Sequence, residues 1–300
     1  MFFYFISNFL ILLIFIITKK FNVIAYKKIS IGGLFFLIFI TINLSIFLNF
    51  FGIKLIILLF LIFIIGVLDD LLNLSVIIRF FLITIFLTVY FFYFNTNDLG
   101  VSIFAHEINI LLVIFLILGF IHTLNMVDGI DGLYLSIISL LCSVFFLFTN
   151  DMIYLGLLLN LFLLLGLNLK KYLIVGNSGN YLISSFFAFI TLSLNQKAEI
   201  VFLQSPIIFD EKLIISIFSI SIIDGLRVSC QRLINKKSPF KGDLTHLHHY
   251  PKNKLFFLII FISLQLSILF SYLIFINIHL TFFYSLISYL TIFLIYKYKN

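Results

Sequence analysis

Apolar residues run through this chain in long blocks, broken at intervals by short polar stretches, without the strict alternation of a half-buried strand. Many blocks approach or exceed the roughly 20 residues that carry a helix across a bilayer. They predict eleven helices, over about 2–18, 32–50, 53–68, 77–95, 108–123, 134–149, 152–169, 180–194, 207–223, 255–276 and 278–296. Continuous apolar runs of this length satisfy their backbone groups internally, which favours helices over barrel strands. The ninth block is the least regular, because Pro206 and the Asp210-Glu211-Lys212 cluster interrupt its start, and 200–205 either joins it or lies at the interface. The expected fold class is therefore all-α, a polytopic membrane helix bundle. With no internal repeat of 20–50 residues, residues 1–300 are expected to form a single integral domain.

Composition removes the soluble alternative: 63% of residues are hydrophobic, 10% are charged, and the mean hydropathy is +1.26. Charge sets the orientation. The segments 19–31, 69–79, 124–133, 170–179, 224–254 and the C-terminal tail fall on one side and carry sixteen Lys and Arg, against Lys54, Lys197 and Lys212 opposite. The positive-inside rule puts the first set in the cytoplasm, with the N-terminus outside and the C-terminus inside. The net charge of +7 then reads as topology, with the bilayer as partner and no nucleic acid, although the same loops suit anionic lipid or nucleotide. The first block is no cleavable signal, since Lys19 and Lys20 follow it and no small-residue cleavage site appears. Cys142 and Cys230 are isolated and suggest neither a disulfide nor a metal site.

The acidic residues carry the chemistry. Six of the twelve, Asp69, Asp70, Asp128, Asp131, Asp224 and Asp243, fall on the cytoplasmic side within motifs. A carboxylate at a bilayer boundary is costly unless a cation or a hydrogen-bond network compensates it. Asp69 and Asp70 close the third block in Gly66-Val67-Leu68-Asp69-Asp70, at the negative end of a helix dipole, where a divalent cation would relieve both. The bland alternative has Asp70 capping the next helix while Asp69 is hydrated. In Asn125-Met126-Val127-Asp128-Gly129-Ile130-Asp131-Gly132-Leu133, a helical segment would put Asp128 and Asp131 on one face, where paired carboxylates suit Mg²⁺ bridged to phosphate. A simple turn is the alternative. Gly176-Asn177-Ser178-Gly179-Asn180 opens the eighth block with free backbone N–H groups for an anion, a weak signal by itself. The last motif runs Asp224-Gly225-Leu226-Arg227, Arg232, Ser238-Pro239-Phe240, Asp243, Thr245 and His246-Leu247-His248-His249. Its histidines lack helical zinc spacing and any cysteine partner, so phosphate or diphosphate binding competes with a solvated loop.

Taken in this order, the motifs resemble the polyprenyl-phosphate N-acetylhexosamine-1-phosphate transferase family (glycosyltransferase family 4) over roughly residues 20 to 255. The Ser-Pro-Phe…His-Leu-His-His form is similar to its glycan-initiating branch, which includes undecaprenyl-phosphate N-acetylglucosaminyl-1-phosphate transferases. The resemblance implies an enzyme of the bacterial cytoplasmic (inner) membrane with its active site on the cytoplasmic face. It would transfer N-acetylhexosamine-1-phosphate from a UDP-sugar to polyprenyl phosphate, chiefly undecaprenyl phosphate, release UMP and start a cell-surface glycan such as lipopolysaccharide. It implies Mg²⁺, with Mn²⁺ as an alternative ion, and it is compatible with a homodimer. By the same resemblance Asp69, Asp70 and Asp128 are catalytic; Asp69, Asp70 and Asn177 hold the metal; and Asn125, Asp131, Arg227, Arg232, His246, His248 and His249 bind substrate.

Some positions depart from the family pattern. Asn177 stands where an aspartate is usual and keeps an oxygen ligand without its charge. Asn180 replaces a serine, Leu244 an arginine, and His122 an asparagine, while the first cytoplasmic loop retains only Ser30-Ile31-Gly32-Gly33. These departures keep a second reading open, a weakened or inactive family member that binds the lipid carrier. A transporter is a third, but it would place acidic groups near the bilayer midplane at broken helices, whereas here they sit at helix ends. Asn160, Asn168, Ser216, Ser219 and Ser221, inside apolar blocks, are expected to hydrogen-bond between helices.

Overall fold

The computed structural model describes residues 7–13, 31–93, 110–194, 199–202, 205–236 and 245–298. The expectation of an all-α membrane protein holds. Residues 7–13 are helical, and ten helices follow with both ends defined. They are α1 (Ile31–Ile42), α2 (Leu44–Leu72), α3 (Val76–Tyr93), α4 (Ile110–Val127), α5 (Leu133–Thr149), α6 (Met152–Leu169), α7 (Gly176–Leu194), α8 (Glu211–Ile234), α9 (Lys254–Phe275) and α10 (Ile278–Tyr298). Among the described residues seven helices are long and apolar enough to span a membrane, the second half of α2 from Gly52 among them. Most of the predicted first span, together with Ser238-Pro239-Phe240, Asp243 and Leu244, lies outside the described residues.

Several boundaries differ from the sequence pattern, and local contacts account for the clearest of them. The block 32–50 is cut at Asn43, whose side-chain amide donates to the Phe39 carbonyl at 2.9 Å and ends α1. The ninth helix starts at Glu211 because Asp210 caps it, its carboxylate accepting the Leu213 N–H at 2.9 Å. The acidic cluster is thus the start signal and not an interruption. That helix runs on to Ile234, so Asp224, Arg227 and Arg232 are helical residues and not part of a loop. Before it, Glu199–Phe202 (β1) and Ser205–Ile208 (β2) pair as an antiparallel hairpin, so 200–205 stays out of the helix.

The chain packs as two compact units, Met1–Asn125 with Asp151–Leu194, and Met126–Asn150 with Asn195–Asn300. In the first unit α7 is the inner helix: every residue from Ser178 to Thr191 is buried, and α1 and α2 pack along it. Phe186 meets Phe36 and Phe47 edge-on, both at 5.5 Å between ring centroids, and aromatic pairs in this geometry favour the packed state. Asn160 bonds Asn8 from another helix at 3.0 Å as expected, whereas Asn168 donates to the Leu173 carbonyl and closes the turn before α7.

In the second unit α9 and α10 pack on α8. Gln265 on α9 donates to the Ser216 carbonyl at 2.7 Å and lies 3.4 Å from the Ser219 hydroxyl, an interhelical polar contact within an apolar span. The α5 face is closed by Phe209, set between Phe145 and Phe148. Elsewhere large apolar side chains such as Ile77, Phe92, Phe115 and Phe283 are exposed, as helices facing lipid require.

Candidate active site

Asp69 and Asp70 fall in the last turns of α2, beyond the predicted end of the span, and the helix stops at Asn73 in the left-handed conformation. Adjacent residues on a helix point about 100° apart, so the two carboxylates meet different partners. Asp69 is 2% exposed. Its Oδ2 accepts from Arg79 Nη1 at 2.9 Å and from the Tyr181 hydroxyl at 2.7 Å, and Arg79 also donates to that hydroxyl at 3.1 Å. Asp70 points at the start of α7, where Oδ1 accepts the Asn177 N–H at 2.8 Å and Oδ2 the Ser178 N–H at 3.1 Å. A carboxylate that sits badly at the end of its own helix is therefore stabilised by the positive end of another. The capping reading of Asp70 is right in kind, but the helix it caps is α7 and not the next one in the chain.

Gly66 makes this approach possible. It lies four residues before Asp70 on the same face of α2. A Cβ added there would come 2.4 Å from the Ser178 Cα, so only glycine lets the two backbones close to the distance Asp70 needs. Gly33 of α1 meets Gly179 in the same way. Asn180, one residue on, is fully buried and directs its amide toward the Leu124 carbonyl in the last turns of α4, at 3.5 Å. Asn125 is half-buried beside Leu124. His122, one turn earlier, stacks on Phe80 with centroids 5.4 Å apart.

In the second unit the Asp128-Gly129-Ile130-Asp131-Gly132 stretch is a turn between α4 and α5, so the two aspartates do not share a helix face. Asp128 is half-buried and Asp131 exposed. The turn is covered by the histidine loop. A Cβ on Gly129 would come 2.0 Å from His248 Nε2, so the imidazole occupies the space a side chain would fill. His246-Leu247-His248-His249 forms one short 3₁₀ turn, with His246 and His248 buried, His249 exposed, and the rings of His246 and His248 parallel at 5.6 Å. Burial, with His249 and His246 adjoining, pushes the His248 imidazole down to about 3 from its ordinary 6.5. It is neutral at any physiological pH.

Asp224 anchors this loop. Its Oδ1 accepts from Arg227 Nη2 at 2.9 Å and from the Tyr289 hydroxyl at 2.8 Å, and its Oδ2 lies 2.9 Å from His246 Nδ1. Both oxygens lie 3.2 Å from the Leu247 N–H. Arg227 is itself enclosed. It donates to Tyr289, Gln231, Asp224 and the Thr245 carbonyl, and its guanidinium lies 4.6 Å from the Phe293 ring centroid. Arg232 is buried in the last turn of α8, where a cation favours the helix dipole.

The fold thus sorts the sequence-derived residues into two groups. Asp69, Asp70, Asn125 and Asn177 lie in the first unit; Asp128, Asp131, Arg227, Arg232 and the three histidines lie in the second. Among the described residues no group of three or more His, Cys, Asp or Glu side chains is arranged to hold an ion. The pattern of the chain missed Arg79, Tyr181 and Tyr289. Arg79 had a signal, a lone charge within an apolar span, which deserves a functional reading by default. Tyr181 and Tyr289 are two of fourteen tyrosines, and nothing local marks them.

Comparison with known proteins agrees with these motifs. Residues 52–195 match the family described as glycosyl transferase family 4. The chain is also 28% identical over 213 residues to a Thermotoga maritima protein named undecaprenyl-phosphate alpha-N-acetylglucosaminyl 1-phosphate transferase. The aligned stretch covers 69% of this chain and 66% of that relative, a little under two thirds of the relative's length.

Proposed function

We propose, from the match of residues 52–195 to glycosyl transferase family 4, that the protein transfers a sugar 1-phosphate from a UDP-N-acetylhexosamine to polyprenyl phosphate, in the first instance undecaprenyl phosphate. An oxygen of the acceptor phosphate attacks the phosphorus that bears the sugar. The bridging bond to the uridine-bearing phosphate breaks, and its electron pair leaves with UMP. The lipid diphosphate sugar that results would begin a cell-surface glycan. The observation that carries the reading is the carboxylate pair at the end of an apolar helix, fixed by the α7 N-terminus and Arg79 within the family-matched stretch. The acceptor's charge must reach water while its tail stays in lipid, which suits chemistry at helix ends on the basic, cytoplasmic side of the inner membrane.

The residues divide the work. Asp69 and Asp70 act at the acceptor phosphate and, with Asn177, would hold Mg²⁺, or Mn²⁺ in its place. Carboxylate and amide oxygens are the donor types such an ion takes, and Mg²⁺ usually binds one or two carboxylates and completes its shell with substrate phosphate and water. Among the described residues Asp69 Oδ1 accepts no hydrogen bond, while Oδ2 is taken up by Arg79 and Tyr181. Bound there, the ion would neutralise charge that builds on the phosphoryl oxygens during transfer. Asn125, Asp128 and Asp131 meet the nucleotide. His246, His248, His249 and Arg232 contact the donor, and Arg227, four of whose five N–H groups are already engaged, holds the loop that presents the histidines.

The test is transfer of phosphate label from UDP-[³²P]N-acetylglucosamine into organic-extractable lipid by purified protein given undecaprenyl phosphate and Mg²⁺. Labelled lipid that disappears with EDTA is expected. Asp70→Ala and Asp128→Ala should abolish it while membrane insertion persists, and retained turnover would remove the proposed site. Asn177→Asp should raise activity or lower the Mg²⁺ requirement. Silence with every UDP-N-acetylhexosamine would favour the second reading, a lipid-carrier-binding relative of low turnover. The Asn177 amide and the neutralisation of Asp69 by Arg79 both point toward that reading.

A further inference from the structure

We infer that Asp224, backed by Tyr289, is a positioning residue that fixes the proton of His246 on Nδ1 and so makes Nε2 the ring nitrogen that meets the donor substrate; this rests on the transferase reading. Three observations carry it. The Asp224 carboxylate lies 2.9 Å from His246 Nδ1, and an ionised carboxylate only accepts, so the proton between them belongs to the imidazole. The carboxylate cannot turn away, because Arg227 and Tyr289 hold one oxygen at 2.9 and 2.8 Å and the Leu247 N–H lies 3.2 Å from each. The ring itself lies parallel to His248, with centroids 5.6 Å apart, and His248 fills the space beside Gly129. A carboxylate that orients a histidine through one nitrogen defines the tautomer and the direction of the other.

The arrangement assigns roles to residues that the motif alone does not separate. His246 is presented by a carboxylate; His248 packs on the Asp128–Asp131 turn; His249 is exposed. Tyr289, on the last helix, becomes part of the machinery although it lies forty residues beyond the histidines.

The experiment uses the full chain in nanodiscs, labelled with ¹⁵N-histidine, with the His246 signals assigned from a His246→Asn variant. At neutral pH the wild type should show His246 protonated at Nδ1. Asp224→Asn, whose amide can also donate, should shift His246 to a mixture of tautomers and lower turnover on the order of 10- to 100-fold, the scale for loss of an orienting carboxylate. Asp224→Glu should restore part of both. Tyr289→Phe, which keeps the ring and removes one hydrogen bond to Asp224, should move both readouts in the same direction by less. If His246 carries its proton on Nε2 alone, or its signals are unchanged in Asp224→Asn, the inference is wrong. Because the spectrum needs no turnover, a wild type with the expected tautomer and no transfer would refute the transferase reading and leave the lock standing.

Discussion

The two units compensate their carboxylates in opposite ways. In the first, Asp69 and Asp70 are satisfied by things a helix end can offer: a cation one turn into the next helix, and the free N–H groups of α7. The partners stand close because glycines let backbones touch. In the second, one carboxylate collects an arginine, a tyrosine, a histidine and a backbone N–H from three stretches of chain, and side chains do the joining. The first design depends on how near two backbones come; the second depends on a network in which each member is tied to several others. Partly satisfied polar networks in a low-dielectric interior are costly, so the two should fail differently.

The largest separation should come from deleting the carboxylates. Asp69→Ala leaves Arg79 with the Tyr181 hydroxyl as its remaining hydrogen-bond partner in this cluster, inside an apolar helix, and breaking such a pair costs about 3–5 kcal/mol. Asp224→Ala leaves Arg227 still bonded to Gln231, Tyr289 and the Thr245 carbonyl, and stacked on Phe293, so the loss of stability should be smaller. Its effect should show in turnover, since the histidine loop loses its anchor. Unfolding midpoints in mixed bicelles would rank the two variants. The reverse order would mean that the network of the second unit, and not the ion pair of the first, is the more cooperative.

Glycine variants sharpen the same contrast at lower cost. In Gly66→Ala the new methyl meets the Ser178 backbone at 2.4 Å, which no rotamer can relieve, so α2 and α7 must part at about 1–3 kcal/mol. The Asp70 cap should weaken with it. In Gly129→Ala the obstacle is the far end of the His248 side chain, which is able to move. That variant should lose under about 1 kcal/mol of stability. Equal losses would indicate that His248 is held as rigidly as backbone.

How much was legible follows the same division. The paired aspartates and the glycine-rich start of α7 carry local signals, and the structure brings them together because Gly66 and Asp70 share a helix face. Asp224 was visible as an acidic residue near basic ones, but its placement in a helix was not, because Asp224, Arg227 and Arg232 break the apolar run that predicts helices. Tyr289 was out of reach entirely: an apolar last helix gives no sign of which hydroxyl turns inward, and the contact joins residues 65 apart in the chain. Sequence periodicity reports which face is apolar, and a long-range side-chain network is specified only by tertiary packing.

The smallest expected effect concerns acid. His248 is held near 3, below its ordinary 6.5, by burial first and then by His249, His246 and Lys254, with Asp224 pulling the other way. Because the folded value is depressed, the unfolded chain takes a proton below about 6.5 that the folded chain refuses. The stability linked to His248 is therefore complete above that value and is lost progressively as pH falls toward 3. A His248→Gln variant should show a shallower decline of thermal midpoint between pH 6.5 and 4 than the wild type. Hydrogen exchange should locate the loss: amides of 245–250 are expected to lose protection on acidification before those of 177–181, whose cap is a carboxylate bound to backbone. If both stretches open together, the two clusters are not separable in acid, and the contrast between them would be one of construction without a difference in response.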